Sequence, residues 1–401
     1  MVSALTRVFG PTNLDLAEDV VQETLLLAVQ RWPFDGVPNN PAGWLYQVAK
    51  NKAIDAVRRQ QAFRRFAPEL SRELQSAGPA DPAFDHLFLA EEIEDDTLRM
   101  IFTCCHPSLP QESQIALTLK ILGGFGTAEI ARALLTQESA IEKRLYRAKR
   151  KIRDGNVAFE VPSPHELSTR LRSVLAVLYL MFNEGYNSSF ADQPIRRDLC
   201  LEAMRLGKLL SGHDVGRHPT TAALMALMCF HAARFDARLD ADGHLQTLRD
   251  QDRQRWNREL IGQGFRYLEQ SASGGEVSHL HIEAGIAAVH CVADSYERTN
   301  WEEIVRLYDR LMTINPTPIV ALNRAIAIAE RDGAWAGLAA IRAIAGTEAL
   351  EGYYLLPAAL GEMHLNLGQL EEARRCFERA CTLTSSGAER QLLQRKLAAC
   401  V

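Results

Sequence analysis

No uninterrupted apolar run in this 401-residue chain exceeds nine residues, Val174 to Phe182 being such a run. A helix that crosses a bilayer needs about 20, so no membrane span is expected. Met1 to Ala4 lacks the basic stretch and apolar run of a secretory signal, and the expected location is the cytoplasm. The eight cysteines form no C-x-x-C pair, and Cys104-Cys105-His106 is not a zinc spacing. Reduced, mostly buried thiols are expected, with no metal. The sequence also has no P-loop, G-x-G-x-x-G, G-x-S-x-G or H-E-x-x-H. Histidines from His213 to His290 invite a metal reading, but His279-x-His281 on a helix would face two ways. Neither an enzyme nor a cofactor is expected. Period-2 alternation of β-branched residues is scarce, which argues against a sheet. Disorder is excluded by an apolar fraction of 47% and a net charge of only -5.

What is present is strong local charge. Residues 50–65 carry six basic side chains (Lys50, Lys52, Arg58, Arg59, Arg64, Arg65) against Asp55 alone. Residues 143–153 carry seven and no acid, whereas 81–96 carry seven acids and no Lys or Arg. Two separated basic clusters on a mildly acidic chain suit a polyanion gripped at two points. Two solvated helix faces would give the same pattern, so charge alone leaves both readings open.

Apolar residues recur at i, i+3, i+4 throughout, which predicts an all-α fold. Pro33 to Gly43 reads as a loop, Pro68 to Pro82 as a linker, and Gly155 to Pro164 as a break. The cuts are 1–66, a linker 67–90, 91–156, and 165–401. A first long helix is predicted from Asp15, with Glu18 as a capping-box partner, to about Trp32. Asp19, Gln22 and Glu23 share its exposed face. A second helix, Trp44 to Arg59, turns Lys50, Asn51, Lys52, Arg58 and Arg59 outward, where they suit phosphates and unpaired bases. Trp44 by itself reads as a core anchor. Ser108 to Gln111 predicts a capped helix start, and Thr127 to Leu135 a short helix. Thr136-Gln137 turns the chain into a basic helix, Glu138 to Arg153. That layout is a helix-turn-helix. Glu138, Ser139, Glu142, Lys143 and Arg144 would reach base edges or near phosphates, and Arg147, Lys149 and Arg150 would lie along the backbone.

Three stretches together resemble regions 2 and 4 of a bacterial sigma factor of the extracytoplasmic-function type. They are LDLAEDVVQETLLLAVQRW, NPAGWLYQVAKNKAIDAVRR and FGTAEIARALLTQESAIEKRLYRAKRKIR, in that order, within residues 1–156. The resemblance implies that Asp19, Gln22 and Glu23 dock on the clamp helices of core RNA polymerase. It implies that the loop Asp35 to Asn40, with Asp35, Asn39 and Asn40, holds a flipped base of the promoter −10 element. Trp44, Lys50, Asn51, Lys52, Arg58 and Arg59 would meet the −10 DNA. The helix-turn-helix, from Thr127 to Arg150, would read the −35 element. The acidic run 81–96 would then be kept off DNA. A one-component regulator using the helix-turn-helix alone, or a scaffold with basic helices, would share part of this pattern.

Residues 165–401 exceed any tail, and repeats are sought first. Leu360-Gly361-x-x-His364, Gly368, Ala373-x-x-x-Phe377 and Ala380 follow the tetratricopeptide pattern. Gly333 and Thr299-Asn300-Trp301 take the turn positions one and two steps back, which predicts a short helical solenoid. FNEGY (182–186) and the stretch His231 to Trp256 resemble a sigma-factor subgroup with a long tetratricopeptide-like extension. There the extension is thought to serve as regulator, and a regulatory protein could bind it. Asp250, Asp252, Arg253, Arg255 and Trp256 read either as a buried ion network pinning helices or as a docking surface.

Overall fold

The structure is a computed structural model and describes residues 1–66, 90–134, 136–187, 195–344 and 350–400. Among these residues the chain is helical, with one isolated β-bridge, Leu239 to Leu245. The linker and the acids Asp81 and Asp85 lie outside the described residues, as does Leu135 of the helix-turn-helix turn. Nothing is described of the Arg64, Arg65, Glu91 and Glu92 side chains.

Helices α1 (Val2–Phe9), α2 (Leu14–Asp35) and α3 (Pro41–Phe66) close on a small core of Ala4, Leu5, Ala17, Val20, Ala49 and Ala53. Small residues at helical spacing let these three helices approach closely. Helix α2 runs longer than its sequence suggested. Pro33 sits in its last turn, where few backbone bonds remain to be lost, and Gly36 at φ 80° ends it. The expected capping box is absent as well. Asn13 precedes the helix without a side-chain cap, and Asp15 and Glu18 are turned to another partner, described below.

Helices α4 (Ala90–Cys104), α5 (Gln111–Ile121), α6 (Thr127–Ala133) and α7 (Glu138–Asp154) follow. Ile115, Leu119, Ile130, Ile141, Leu145 and Ile152 are buried among them. Ser108 does not cap α5. Its hydroxyl is 2.7 Å from the His106 ring nitrogen Nδ1, and Pro110 holds the cap position. Packing places Met1–Ala131 and Thr136–Val177 in one compact unit, and Leu178–Val401 with residues 132–135 in another. The modules expected at 1–66 and 91–156 therefore share a unit. The boundary falls inside the next helix, α8 (Pro164–Tyr186), not at residue 165.

In the second unit, α9 (Arg197–Gly212), α10 (Pro219–Ala232) and α11 (Arg258–Ser271) lead into three helix pairs. These are α12 (His279–Val292) with α13 (Trp301–Ile314), α14 (Pro318–Asp332) with α15 (Ala334–Arg342), and α16 (Leu355–Asn366) with α17 (Leu370–Leu383). Helix α18 (Gly387–Ala398) closes the series. Their turns fall at the spacing read from the sequence, with Gly333 at φ 93° and Gly368 at φ 70°. Each pair packs on the next through successive cores centred on Ile304, Leu338 and Phe377. Gly361 lets α16 meet α17, since a Cβ there would lie 2.7 Å from Phe377 Cε1.

Candidate nucleic-acid interface

Helix α7 divides by period. Ile141, Leu145, Ala148 and Ile152 are buried, so Glu138, Ser139, Glu142, Lys143, Arg147 and Arg150 stand in solvent. Tyr146, which sequence reasoning passed over, is exposed among them. Arg144 is half-buried and pairs with Glu112 of α5 at 2.6 Å, which fixes the helix-turn-helix as much as it serves DNA. Thr127 opens α6 half-buried, and the Glu129 carboxylate accepts the Gly126 N–H at 2.6 Å in the first turn.

Lys149 departs from the expected backbone contact. Its ammonium donates to Asp15 at 2.7 Å and to Glu18, both on α2. Burial would lower its pKa, but the hydrogen bonds and charges of the two carboxylates outweigh that and hold it raised. The α7 face nearest α2 is thus closed to phosphate. A second tie joins the same halves of this unit. Asp96 of α4, fully buried, takes Arg99 at 2.8 Å and Arg7 of α1 at 3.3 Å. For Asp96, the last acid of the run 81–96, the role is internal rather than shielding.

On α2, Asp19, Gln22 and Glu23 are exposed on one face. Leu26 (57% exposed) and Val29 (70%) continue that face toward the C-terminus. The sequence carried this signal: Leu25 to Val29 is apolar all round a helix that buries one side. Lys52 of α3 donates to Glu23 at 2.7 Å and draws the Glu23 pKa down through that hydrogen bond and its charge. Two residues assigned to different partners thus engage each other.

Trp44 is half-buried and meets Trp32 edge-on at 5.6 Å, which anchors α3 to α2. Lys50 is half-buried. Asn51 accepts the Gln47 amide at 3.2 Å, while Arg58 and Arg59 are exposed beside Asp55. Between the helices, Asp35 and Asn39 are exposed, and Asn40 accepts the Gly43 N–H at 2.9 Å, a helix-start contact. Phe34 and Val37 flank that turn, both exposed.

In the second unit, the ion network read into Asp250, Asp252, Arg253, Arg255 and Trp256 does not form. Asp250 accepts the Thr247 hydroxyl at 2.5 Å and Asp252 caps its own turn, whereas Arg253 and Trp256 are buried apart from both acids. Asp240, Asp242 and His244 offer ligand atoms within 4.8 Å of one another, but on an exposed turn. Asp240 already accepts the backbone N–H groups of Asp242 and His244.

An exposed helix-turn-helix face, joined to a three-helix module with a basic outer helix, defines a sigma-70-type transcription factor. Residues 2–63 match the family Sigma-70 region 2, and residues 99–152 match Sigma-70, region 4. The ECF RNA polymerase sigma factor SigL of Mycobacterium tuberculosis is 32% identical over 142 residues, 34% of this chain and 72% of that protein. SigE of Mycolicibacterium smegmatis is 28% identical over 138 residues, 34% of this chain and 51% of that protein. An uncharacterized protein of Rhizobium meliloti (strain 1021) is 38% identical over 402 residues, 99% of this chain and 92% of that protein. Residues 170–272 match a family of unknown function, DUF6596. No solved structure matches the chain. The chain belongs to the extracytoplasmic-function sigma factors of the sigma-70 family and carries a long helical C-terminal extension. It binds core RNA polymerase and promoter DNA and directs transcription initiation, and it is not an enzyme. No helix among the described residues is long and apolar enough to cross a membrane.

Proposed function

We propose that each surface has its own partner in initiation. Helix α2 docks on polymerase through Asp19, Gln22 and Glu23, with Leu26 and Val29 supplying apolar area beside them. The turn around Asp35 and Asn39, with Phe34 and Val37 exposed, receives an unstacked base of the −10 strand. Lys50, Asn51, Lys52, Arg58 and Arg59 of α3 follow that strand, and Trp44 holds the helix in place. Helix α7 reads the −35 duplex through Glu138, Ser139, Glu142 and Lys143, with Arg147 and Arg150 on phosphates. The protein acts where polymerase acts, in the cytoplasm.

The observation that carries this reading is the division of α7: four apolar residues face inward, and Lys143, Arg147 and Arg150 face solvent. Melting then draws on binding energy to the unpaired strand, without nucleotide hydrolysis. Run-off transcription with purified core enzyme tests it. Promoter-dependent transcripts are expected with the wild type and a strong loss with Lys143→Ala/Arg147→Ala. Tight duplex binding without core, and no transcripts with it, would instead mark a repressor.

The extension acts as the regulator. Its helix pairs, read as a solenoid of tetratricopeptide type, enclose a cleft of about 410 Å³ lined by Trp301, Tyr308, Asn323, Tyr354, Glu389 and Lys396. Aromatic faces beside charged and amide groups suit a partner segment or a small ligand. Deleting the chain after residue 186, which keeps the part of α8 that packs in the first unit, should change promoter output or core affinity. If both stay the same, the regulatory reading fails.

A further inference from the structure

The turns that follow α10 gather three arginines, Arg234, Arg238 and Arg253. The Arg238 guanidinium lies over the Tyr186 ring at 3.9 Å, and the Tyr186 and His231 rings are 4.8 Å apart. Trp256, 2% exposed, meets two more guanidinium groups, Arg253 at 4.9 Å and Arg234 at 5.4 Å. Among the described residues, none of these three arginines is paired with a carboxylate. Their hydrogen bonds go to neutral acceptors. Arg234 Nε donates to Gln251 at 3.1 Å, and Arg238 to Asn187 at 3.3 Å. Arg253 donates to the His290 and Ala293 carbonyls at 2.7 Å each. Glu297, whose charge acts on Arg253, is exposed.

Buried polar atoms without a hydrogen-bond partner collect in the same place: the Tyr186 hydroxyl, His231 Nδ1, Trp256 Nε1, His290 Nδ1 and Arg238 Nε. In native interiors roughly 90% or more of buried backbone groups, and most buried side-chain polar atoms, are partnered. A buried cation without a counter-charge is costlier still. Burial, and then the arginine charges, push both His231 and His290 down to about 3, so neither ring relieves or adds to the excess.

We propose that this cluster is an anion site in which Arg234 and Arg238, with the Tyr186 hydroxyl and the His231 ring, bind a phosphate group, free or carried on a small metabolite. The donor set decides the class. Guanidinium forks match tetrahedral oxyanions, and several donors without an ionised acceptor favour a doubly charged ligand over a monovalent one. Arg253 is committed to carbonyls and contributes charge alone. Arg234 and Arg238 are half-buried and Asn187 is exposed. The site lies in the second unit, outside the surfaces assigned to polymerase and promoter, and most of its residues fall within the span of the family of unknown function.

Calorimetry and thermal melts of the full chain at constant ionic strength test the proposal, with inorganic phosphate, glycerol 3-phosphate, acetate and chloride as probes. Saturable phosphate binding is expected, with a melting midpoint that rises with ligand. Arg238→Gln should weaken binding about tenfold or more. Tyr186→Phe keeps the ring and should weaken it several-fold, and this variant decides the matter if Arg238→Gln does not fold. Tighter binding of glycerol 3-phosphate would mark a metabolite-borne group, and equal binding the free ion. The site is overturned if phosphate does not bind, if acetate or chloride binds as well as phosphate, or if both variants retain wild-type affinity.

Discussion

Loss of water sets the charge of Glu283 in α12. Its carboxylate accepts the Tyr179 hydroxyl at 2.9 Å, yet burial pushes its pKa up to about 7. The folded chain thus keeps a proton that the unfolded chain releases near the ordinary value of about 4.3. Stability from this group is present at low pH and is lost as pH rises toward 7. His231 and His290 act in the opposite sense. Held near 3, they give stability that is present above about 6.5 and lost as pH falls. The bulk pH profile mixes both signs, so a variant has to isolate the first. Glu283→Gln should be more stable than the wild type at pH 8, by up to about 3 kcal/mol, and close to it at pH 5. Urea melts at the two pH values measure the gap, and a gap that does not narrow would refute the assignment.

Helix faces follow from side-chain period, and helix ends from partners that the period does not encode. That is why helical spacing places the buried stripe Ile141, Leu145, Ala148 and Ile152 of α7, and why the capping expected of Asp15, Glu18 and Ser108 does not form. A carboxylate three residues into a helix looks the same whether it caps the helix or binds a lysine far along the chain. Two predictions belong at this scale. Arg147→Ala and Arg150→Ala, on the exposed face of α7, should each weaken promoter binding across sequences and reduce the salt slope by about 1. Filter binding from 50 to about 200 mM salt reads this, and unchanged slopes would remove α7 from the phosphates. The second concerns glycine inside helices. Replacing Gly by Ala gains about 1 kcal/mol of helix propensity. At Gly262 the new methyl would meet nothing nearer than Arg266 at 3.7 Å, so Gly262→Ala should stabilise. At Gly361 it would meet the fully buried Phe377 at 2.7 Å, and overpacking of about 1–3 kcal/mol should win. Thermal melts of the pair should move in opposite directions.

At the scale of the molecule, the two DNA-reading modules are packed against each other in one unit. The sequence displayed both modules, since each has its own apolar stripe and basic face. It did not display the charged ties between them, because a solvated surface would carry the same side chains: Lys149 with Asp15 and Glu18, and Arg7 with Asp96. A −10 and a −35 element lie about 25 base pairs apart, which at 3.4 Å per pair is about 85 Å. If the modules take these two elements as proposed, they do not reach both while in mutual contact, and the contact is expected to open when promoter is bound. Lys149 would then exchange two carboxylates for solvent or a phosphate. Arg150, on the outward face of α7, would likewise exchange Asp154, at 3.1 Å, for a phosphate. An exposed ion pair is worth about 1 kcal/mol or less, and the lost hydration of buried Glu18 offsets part of the attraction here, so the tie is a modest one. Weakening it should favour the open form. In Asp15→Asn/Glu18→Gln the ammonium keeps neutral acceptors, while the charge attraction is gone. Promoter binding by the reconstituted polymerase should therefore tighten several-fold, with Lys149→Gln tightening it less because a phosphate contact is lost as well. Equal affinities in the wild type and the double variant would mean that opening costs nothing measurable, and the compact arrangement would then carry no weight in initiation.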